Sequence, residues 1–460
     1  MNLTKTNDMS YRITGRSSSR SRLDAIMNHR FTMADFLKFE IVLIILITLA
    51  VNSGISVGPA TYAVDLLNLA LFVAGFKLIA RNSCGTSSFD IPVVVFVVYC
   101  VFSAIVNLVA PQWALWEALN FGRLFVWAYL FRAYWTPSDA EGVMDFLYGL
   151  QVVNALFVSY QYLVLGLVQD NIGGMFGTGV GCNGPLNVYL CLVCTWGVSG
   201  YLSRRKKLLP LMLTVISAFL IAGVGELKFF YLEFVVIFFG AVVYARMSRK
   251  TMIAIAVIAA VAAIGLYFFA QINPRHFEIL TNFDELMEYA DTSDLASSGY
   301  GVSRVHPFSQ LSAQFFSNDA TQCLFGLGFG NASQSSISFF TSDFFRAHGY
   351  INYHYLVSAL LFLQIGYVGV VLYLMPFLLF VGMLFAKRKA LARIDCGHSV
   401  CFAFVMTVLL FANILYNNTV HAYLAVFWSI PIAIGLFALS SLEASKKGVA
   451  GRGHERNADA

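Results

Sequence analysis

Apolar residues run along this chain in long blocks, separated by short polar connections that gather Lys and Arg at every second break. A helix crosses a bilayer with about 20 mostly apolar residues. Scanning with that ruler predicts twelve helical spans, at roughly 38–54, 61–80, 91–110, 113–133, 143–168, 185–202, 208–224, 229–245, 251–272, 364–386, 397–416 and 421–441. The first is short, and the fourth carries Glu117 and Arg123 inside it. The fold class expected is therefore an all-α polytopic membrane protein.

The charge pattern orients these spans, because cytoplasmic loops hold the excess of Lys and Arg. The N-terminal segment carries Lys5, Arg12, Arg16, Arg20, Arg22, Arg30 and Lys38. Alternate connections repeat the signal with Lys77 and Arg81; Arg132; Arg204 to Lys207; Arg246, Arg249 and Lys250; Lys387 to Lys389 and Arg393; and Lys446 with Lys447. The connections between them are nearly free of Lys and Arg. Both termini are thus expected in the cytoplasm, with residues 1–37 and 442–460 as tails around a membrane domain at 38–441. The Ser/Arg-rich first 30 residues contain no apolar stretch leading to a cleavage site, so they read as a tail and not a signal peptide. Trp113, Trp116 and Trp135 suit interfacial anchors.

Between the ninth and tenth spans, residues 273–350 differ in character and fall on the external side. From Asn273 to Arg346 there are eight acidic and three basic residues, a net −5. Loops this long are usually functional or disordered. Aromatic content and helix-like runs at 283–290 and 305–316 predict an ordered cap. Its glycine cluster, Gly326-Leu327-Gly328-Phe329-Gly330, lacks the preceding strand and following Gly-Lys-Ser/Thr of a nucleotide phosphate cradle, so a flexible turn is the plain expectation.

Composition agrees with the pattern. The 460 residues are 58% hydrophobic and only 12% charged, half the charge of a soluble domain. That excludes a disordered chain and a disulfide-stapled secreted module. Cys191 and Cys194 form a C-x-x-C inside an apolar span, which marks a helix face and not a redox or zinc site. Cys182 and Cys323 fall outside, where a disulfide is permitted. Arg123 is expected to pair with Asp65 or Glu117 as internal glue. The basic cluster Arg204 to Lys207 suits anionic headgroups, and no nucleic-acid partner is expected.

Short motifs add a resemblance. Met175-Phe176-Gly177-Thr178 through Asn183-Gly184-Pro185-Leu186-Asn187, Gly225-Glu226-Leu227-Lys228-Phe229-Phe230, Arg304 followed by the glycine cluster, and His354-Tyr355-Leu356 leading to Gly366-Tyr367-Val368-Gly369 together resemble the O-antigen polymerase and O-antigen ligase superfamily. The resemblance covers most of the chain in topology and only short stretches in residues. It implies a metal-independent glycosyltransferase of the bacterial cytoplasmic membrane, without cofactor, acting on the outer side. The implied reaction polymerises oligosaccharide repeat units carried on undecaprenyl diphosphate, in O-antigen, capsule or exopolysaccharide biosynthesis. The implied partners are that lipid-linked oligosaccharide, the lipid bilayer, a chain-length regulator and a flippase. A ligase-type transferase is the near alternative, and a flippase or other transporter the alternative from another class.

That chemistry needs cations outside to hold a departing diphosphate, with Arg favoured for its planar fork. External cations are scarce, leaving Arg304, Arg346, Lys228 and Arg275 as candidates. The acidic run Asp284, Glu285, Glu288, Asp291 and Asp294 has helix-like spacing and reads as a solvated face, so no metal site is expected. An attacking hydroxyl needs an acceptor for its proton, and His is suited near neutral pH. His348 and His354 lie where the loop returns to the membrane; the resemblance, through the spacing to Gly366, favours His354. Glu226, beside Lys228 at a hairpin tip, completes the catalytic candidates, and a turn or broken helix is expected there.

Overall fold

The computed structural model describes residues 31–55, 60–82, 87–244, 249–272, 274–282, 284–285, 287–288, 301–394, 396–421 and 423–458. Most of the predicted N-terminal tail, Arg246, and Asp291 and Asp294 of the acidic run lie outside the described residues. Every regular element among the described residues is helical. In chain order these are α1 (Met33–Asn52), α2 (Ala60–Ala74), α3 (Phe76–Asn82), α4 (Ser87–Val106), α5 (Pro111–Tyr134), α6 (Pro137–Leu163), α7 (Asn183–Leu202), α8 (Leu208–Val224) and α9 (Lys228–Tyr244). They continue with α10 (Arg249–Ile272), α11 (Pro274–Thr281), α12 (Pro307–Phe315), α13 (Ala320–Phe325), α14 (Asp343–His348), α15 (Val357–Arg393), α16 (Gly397–Tyr416) and α17 (Ala425–Ala458).

Seven of the described helices (α4, α6, α7, α10, α15, α16 and the first part of α17) are long and apolar enough to cross a membrane. Shorter apolar helices lie at Tyr62–Ala74 and Leu208–Val224. The chain is a multi-pass membrane protein. Its outer helices show what lipid contact requires: Val94, Val97, Val98, Val101 and Phe102 of α4 are all exposed. Such a face is tolerable only where the solvent is hydrocarbon. α7 and α17 are the most enclosed, and α16 packs against both α15 and α17.

Several charged side chains within the bundle are paired, as a medium without water favours. Arg123 on α5 makes a forked ion pair with Asp65 on α2, at 2.8 and 2.7 Å, and donates to the His421 carbonyl at 2.8 Å. Asp65, not Glu117, is its partner. Arg132 meets Asp90, to which Tyr129 also donates at 3.0 Å. On the basic turn after α7, Arg205 pairs with Glu141 and Lys206 with Asp145 of α6, so these cations are engaged within the protein.

The predicted boundaries shift where backbone chemistry intervenes. The block at 61–80 is divided at Gly75, whose missing Cβ leaves room for the Tyr134 hydroxyl. The block at 364–386 begins earlier, at Val357, because α15 continues through a break at Gly366 (φ 61°, ψ −167°). The last block starts at Ala425, leaving 417–421 and 423–424 irregular.

The glycine cluster is a docking device and not a flexible turn. Gly326, Gly328 and Gly330 all have positive φ, which L side chains rarely adopt. The break at Gly366 frees carbonyls of α15. The Leu327 N–H donates to Leu363 O and the Gly328 N–H to Gln364 O, both at 2.8 Å. The Gly330 N–H donates to the Gln364 side chain at 2.8 Å, and Gln364 Nε2 donates in turn to the buried Glu117 at 2.5 Å. Of the two helix-like runs in the loop, 305–316 becomes α12, and half of 283–290 lies outside the described residues.

Trp116 and Trp135 turn inward. Trp116 stacks on Phe340 and donates to Gln334 O at 2.7 Å, while Trp135 is buried against Phe131 and donates to Ala34 O. The described cysteines, Cys182 and Cys323 among them, are free thiols.

Candidate functional site

One cavity of about 1630 Å³ gathers residues from widely separated parts of the chain. The end of α1 and the turn after it contribute Ile47, Val51 and Ile55 beside Thr48 and Asn52. The same cavity is lined by Lys228, Arg275 and Arg304, together with Glu226 and Asp170. The rest mixes asparagines and tyrosines with apolar side chains such as Leu227, Phe229 and Ile279.

The hairpin between α8 and α9 presents Glu226 and Lys228. α8 ends at Val224, and Glu226 adopts φ 52°, a left-handed conformation that costs a non-glycine residue about 1 kcal/mol or more. The Lys228 N–H donates to Glu226 O at 2.8 Å, closing a tight turn that starts α9 at the cavity wall. Strain held at such a place is a mark of a functional segment.

Arg304 is positioned by aromatic stacking. Its guanidinium carbon lies 4.6 Å over the Tyr416 ring, and Tyr416 stacks on Phe229 with centroids 4.1 Å apart. Lys228 and Arg304 therefore flank one stack built from the hairpin and the end of α16. Arg304 makes no ion pair among the described residues, and its Nε is buried without a hydrogen-bond partner. A cation held by ring faces keeps its donors for something else. Arg275, on α11, is exposed at the same cavity.

The Gly/Asn segment before α7 supplies another stretch of wall, through Val180, Gly181, Asn183 and Gly184. Buried amides on α6 shape it. Gln161 both donates to Gly174 O and accepts from the Gly174 N–H, at 2.8 and 2.7 Å, while Asn154 accepts from the Met175 N–H at 3.2 Å.

The other candidates lie elsewhere. Arg346 is exposed, pairs with Asp343 at 2.8 Å and donates to Ser338 O; it does not line the cavity. His348 packs between Phe315 and Phe344. His354 is buried beside Phe345 and Tyr355, with Nδ1 unpartnered. Burial, with His421 nearby as a second cause, pushes His354 down to about 4, so its imidazole is neutral at ordinary pH. Tyr355, its chain neighbour, lines the cavity; neither histidine does. Among the described residues no three His, Cys, Asp or Glu side chains group as a metal-holding set.

Sequence reasoning passed over Asp170, Asn417, Asn418, Thr419 and Tyr416, all of which line the cavity. Asn417-Asn418-Thr419 was visible as a polar interruption between two apolar blocks. Asp170 gave no local signal. No family model matches the chain, and no curated protein matches it significantly.

Proposed function

We propose that the chain is a membrane-embedded glycosyltransferase that polymerises oligosaccharides carried on undecaprenyl diphosphate, as its motifs' resemblance to the O-antigen polymerase and ligase superfamily implies. The supporting observation is the meeting of Lys228, Arg275 and Arg304 in one cavity that Ile47, Val51 and Ile55, at the end of α1 and the turn after it, also line. A prenyl diphosphate combines both chemistries. Cations stabilise a departing diphosphate as its negative charge develops, and the apolar side chains suit the prenyl chain. A flippase should present cations distributed across the depth of the bundle, whereas the interior Arg123 is held by Asp65.

In this reading all twelve apolar blocks span, both termini lie in the cytoplasm of a bacterial inner membrane, and the cavity opens outside under residues 273–350. The alternation of basic connections supports that orientation. The acceptor hydroxyl oxygen attacks the anomeric carbon of the donor sugar, and the bond from that carbon to the diphosphate oxygen breaks. The diphosphate leaves with the electron pair, held by Arg304, Lys228 and Arg275. The hydroxyl proton passes to Glu226, the carboxylate beside Lys228 on the cavity wall, and His354 supports Tyr355 from behind.

The test is a strain lacking the chain, complemented with Arg304→Ala. Normal membrane levels with loss of long polysaccharide, leaving single repeat units, is the expected result. A wild-type length distribution would overturn the reading.

A further inference from the structure

Glu233 of α9 is 1% exposed, and no cation pairs with it among the described residues. It is surrounded by donors instead: Asn187 Nδ2 at 2.6 Å, Asn413 Nδ2 at 2.6 Å and Cys191 Sγ at 3.1 Å. Both carboxylate oxygens therefore accept, and this fixes how each amide is turned. An amide that gives its NH₂ to a carboxylate must present its oxygen the other way.

The consequence runs outward to the cavity along two routes. Asn187 lines the cavity, and its Oδ1 is buried with no partner. On the second route, Asn413 Oδ1 accepts from Asn417 Nδ2 at 2.8 Å, and Asn417 Oδ1 accepts from the Thr419 hydroxyl at 2.7 Å. Having donated its only hydrogen, Thr419 Oγ1 is left with lone pairs, one facing Trp428 Nε1 at 3.4 Å. Thr419 also lines the cavity. Every hydrogen bond along these routes points its donor toward Glu233, which leaves Asn187 Oδ1 and Thr419 Oγ1 as acceptors at their outer ends.

We propose that Glu233 sets the Asn187 and Thr419 side of the cavity as an acceptor-rich subsite for the hydroxyl and amide donors of a sugar. Phosphate oxygens, which are acceptors themselves, are turned away from it toward Lys228, Arg275 and Arg304. The cavity is thus polarised, with the diphosphate at the cations and the sugar over Asn187 and Thr419. This deepens the proposed function and rests on it. Glu233 is a positioning residue, acting through the asparagines.

The test measures binding to the full chain in lipid nanodiscs, with undecaprenyl diphosphate and undecaprenyl diphosphate–N-acetylglucosamine as probes. The wild type is expected to bind the glycosylated lipid about tenfold more tightly, the scale of one or two good hydrogen bonds. Glu233→Gln lets an amide donate back into the network, and Thr419→Val replaces the hydroxyl by a methyl group of similar size. Each is expected to reduce the preference to within about twofold while the Kd of the bare lipid moves by less than about threefold. Thr419→Val decides the matter if Glu233→Gln does not fold. Full preference retained in Thr419→Val, with the bare lipid still bound, overturns the subsite and leaves the diphosphate grip standing. A wild type that binds neither lipid overturns both.

Discussion

Arg304 separates a phosphate grip from a merely structural cation. It rests on a ring face and makes no ion pair among the described residues, so removing it leaves no buried carboxylate behind. A charge-assisted hydrogen bond contributes about 1.5–3 kcal/mol, so Arg304→Ala should slow polymer formation by about ten- to hundredfold, with Arg304→Lys in between because Lys lacks the fork. Rates in membranes with matched protein levels check this, and equal rates would count against it. His354 makes a different prediction. Its folded value of about 4 lies below the ordinary 6.5, so between those values the unfolded chain holds more protons. Stability is therefore full above about pH 6.5 and falls as the pH drops toward 4. Thermal unfolding at pH 7 and pH 5 should show a larger loss for the wild type than for His354→Gln; equal losses would refute the burial argument. At this scale the sequence was partly legible. Scarcity of external cations singled out Lys228, Arg275 and Arg304. Arg346 entered on the same ground, yet Asp343 three residues earlier could already be read as its partner on a helix. The burial of His354 depends on Phe345 and Tyr355 closing around it, which no spacing rule reveals.

Among the elements, the joint between the glycine cluster and α15 fixes where the loop sits. Gly326 and Gly366 both have positive φ, and a Cβ on either would strike the other segment's backbone, at Gln364–Ile365 or Leu324–Phe325. Gly326→Ala or Gly366→Ala should destabilise the protein by at least about 1–3 kcal/mol from the backbone conformation alone. A lowered thermal midpoint in detergent is the expected outcome, and an unchanged one would mean that the joint carries no strain. The helices were legible because apolar runs of spanning length leave few alternatives. The joint was not. A G-x-G segment followed far downstream by G-x-x-G announces freedom of the backbone, while its use as a clamp depends on carbonyls freed by the break at Gly366. Glu117 and Gln364 meet across 247 positions, and neither residue's neighbours foretell it.

For the whole molecule, the proposed topology puts the basic turn after α7 and the Glu226–Lys228 hairpin on opposite faces of the membrane, joined by α8. Single cysteines placed at Arg204 and at Asn282 should differ in labelling by an impermeant maleimide on intact cells, with only the second reacting. Equal labelling would break the alternation on which the orientation rests. Three cations from the hairpin, α11 and the long loop share one cavity only after the helices have packed, so their convergence is a property of the assembled bundle. The decisive measurement is the Kd of undecaprenyl diphosphate for the full chain in nanodiscs, compared with a Lys228→Ala, Arg304→Ala double variant that retains its thermal midpoint. Loss of two positive contacts should weaken binding by at least about a hundredfold. An unchanged Kd would show that these cations do not hold the diphosphate.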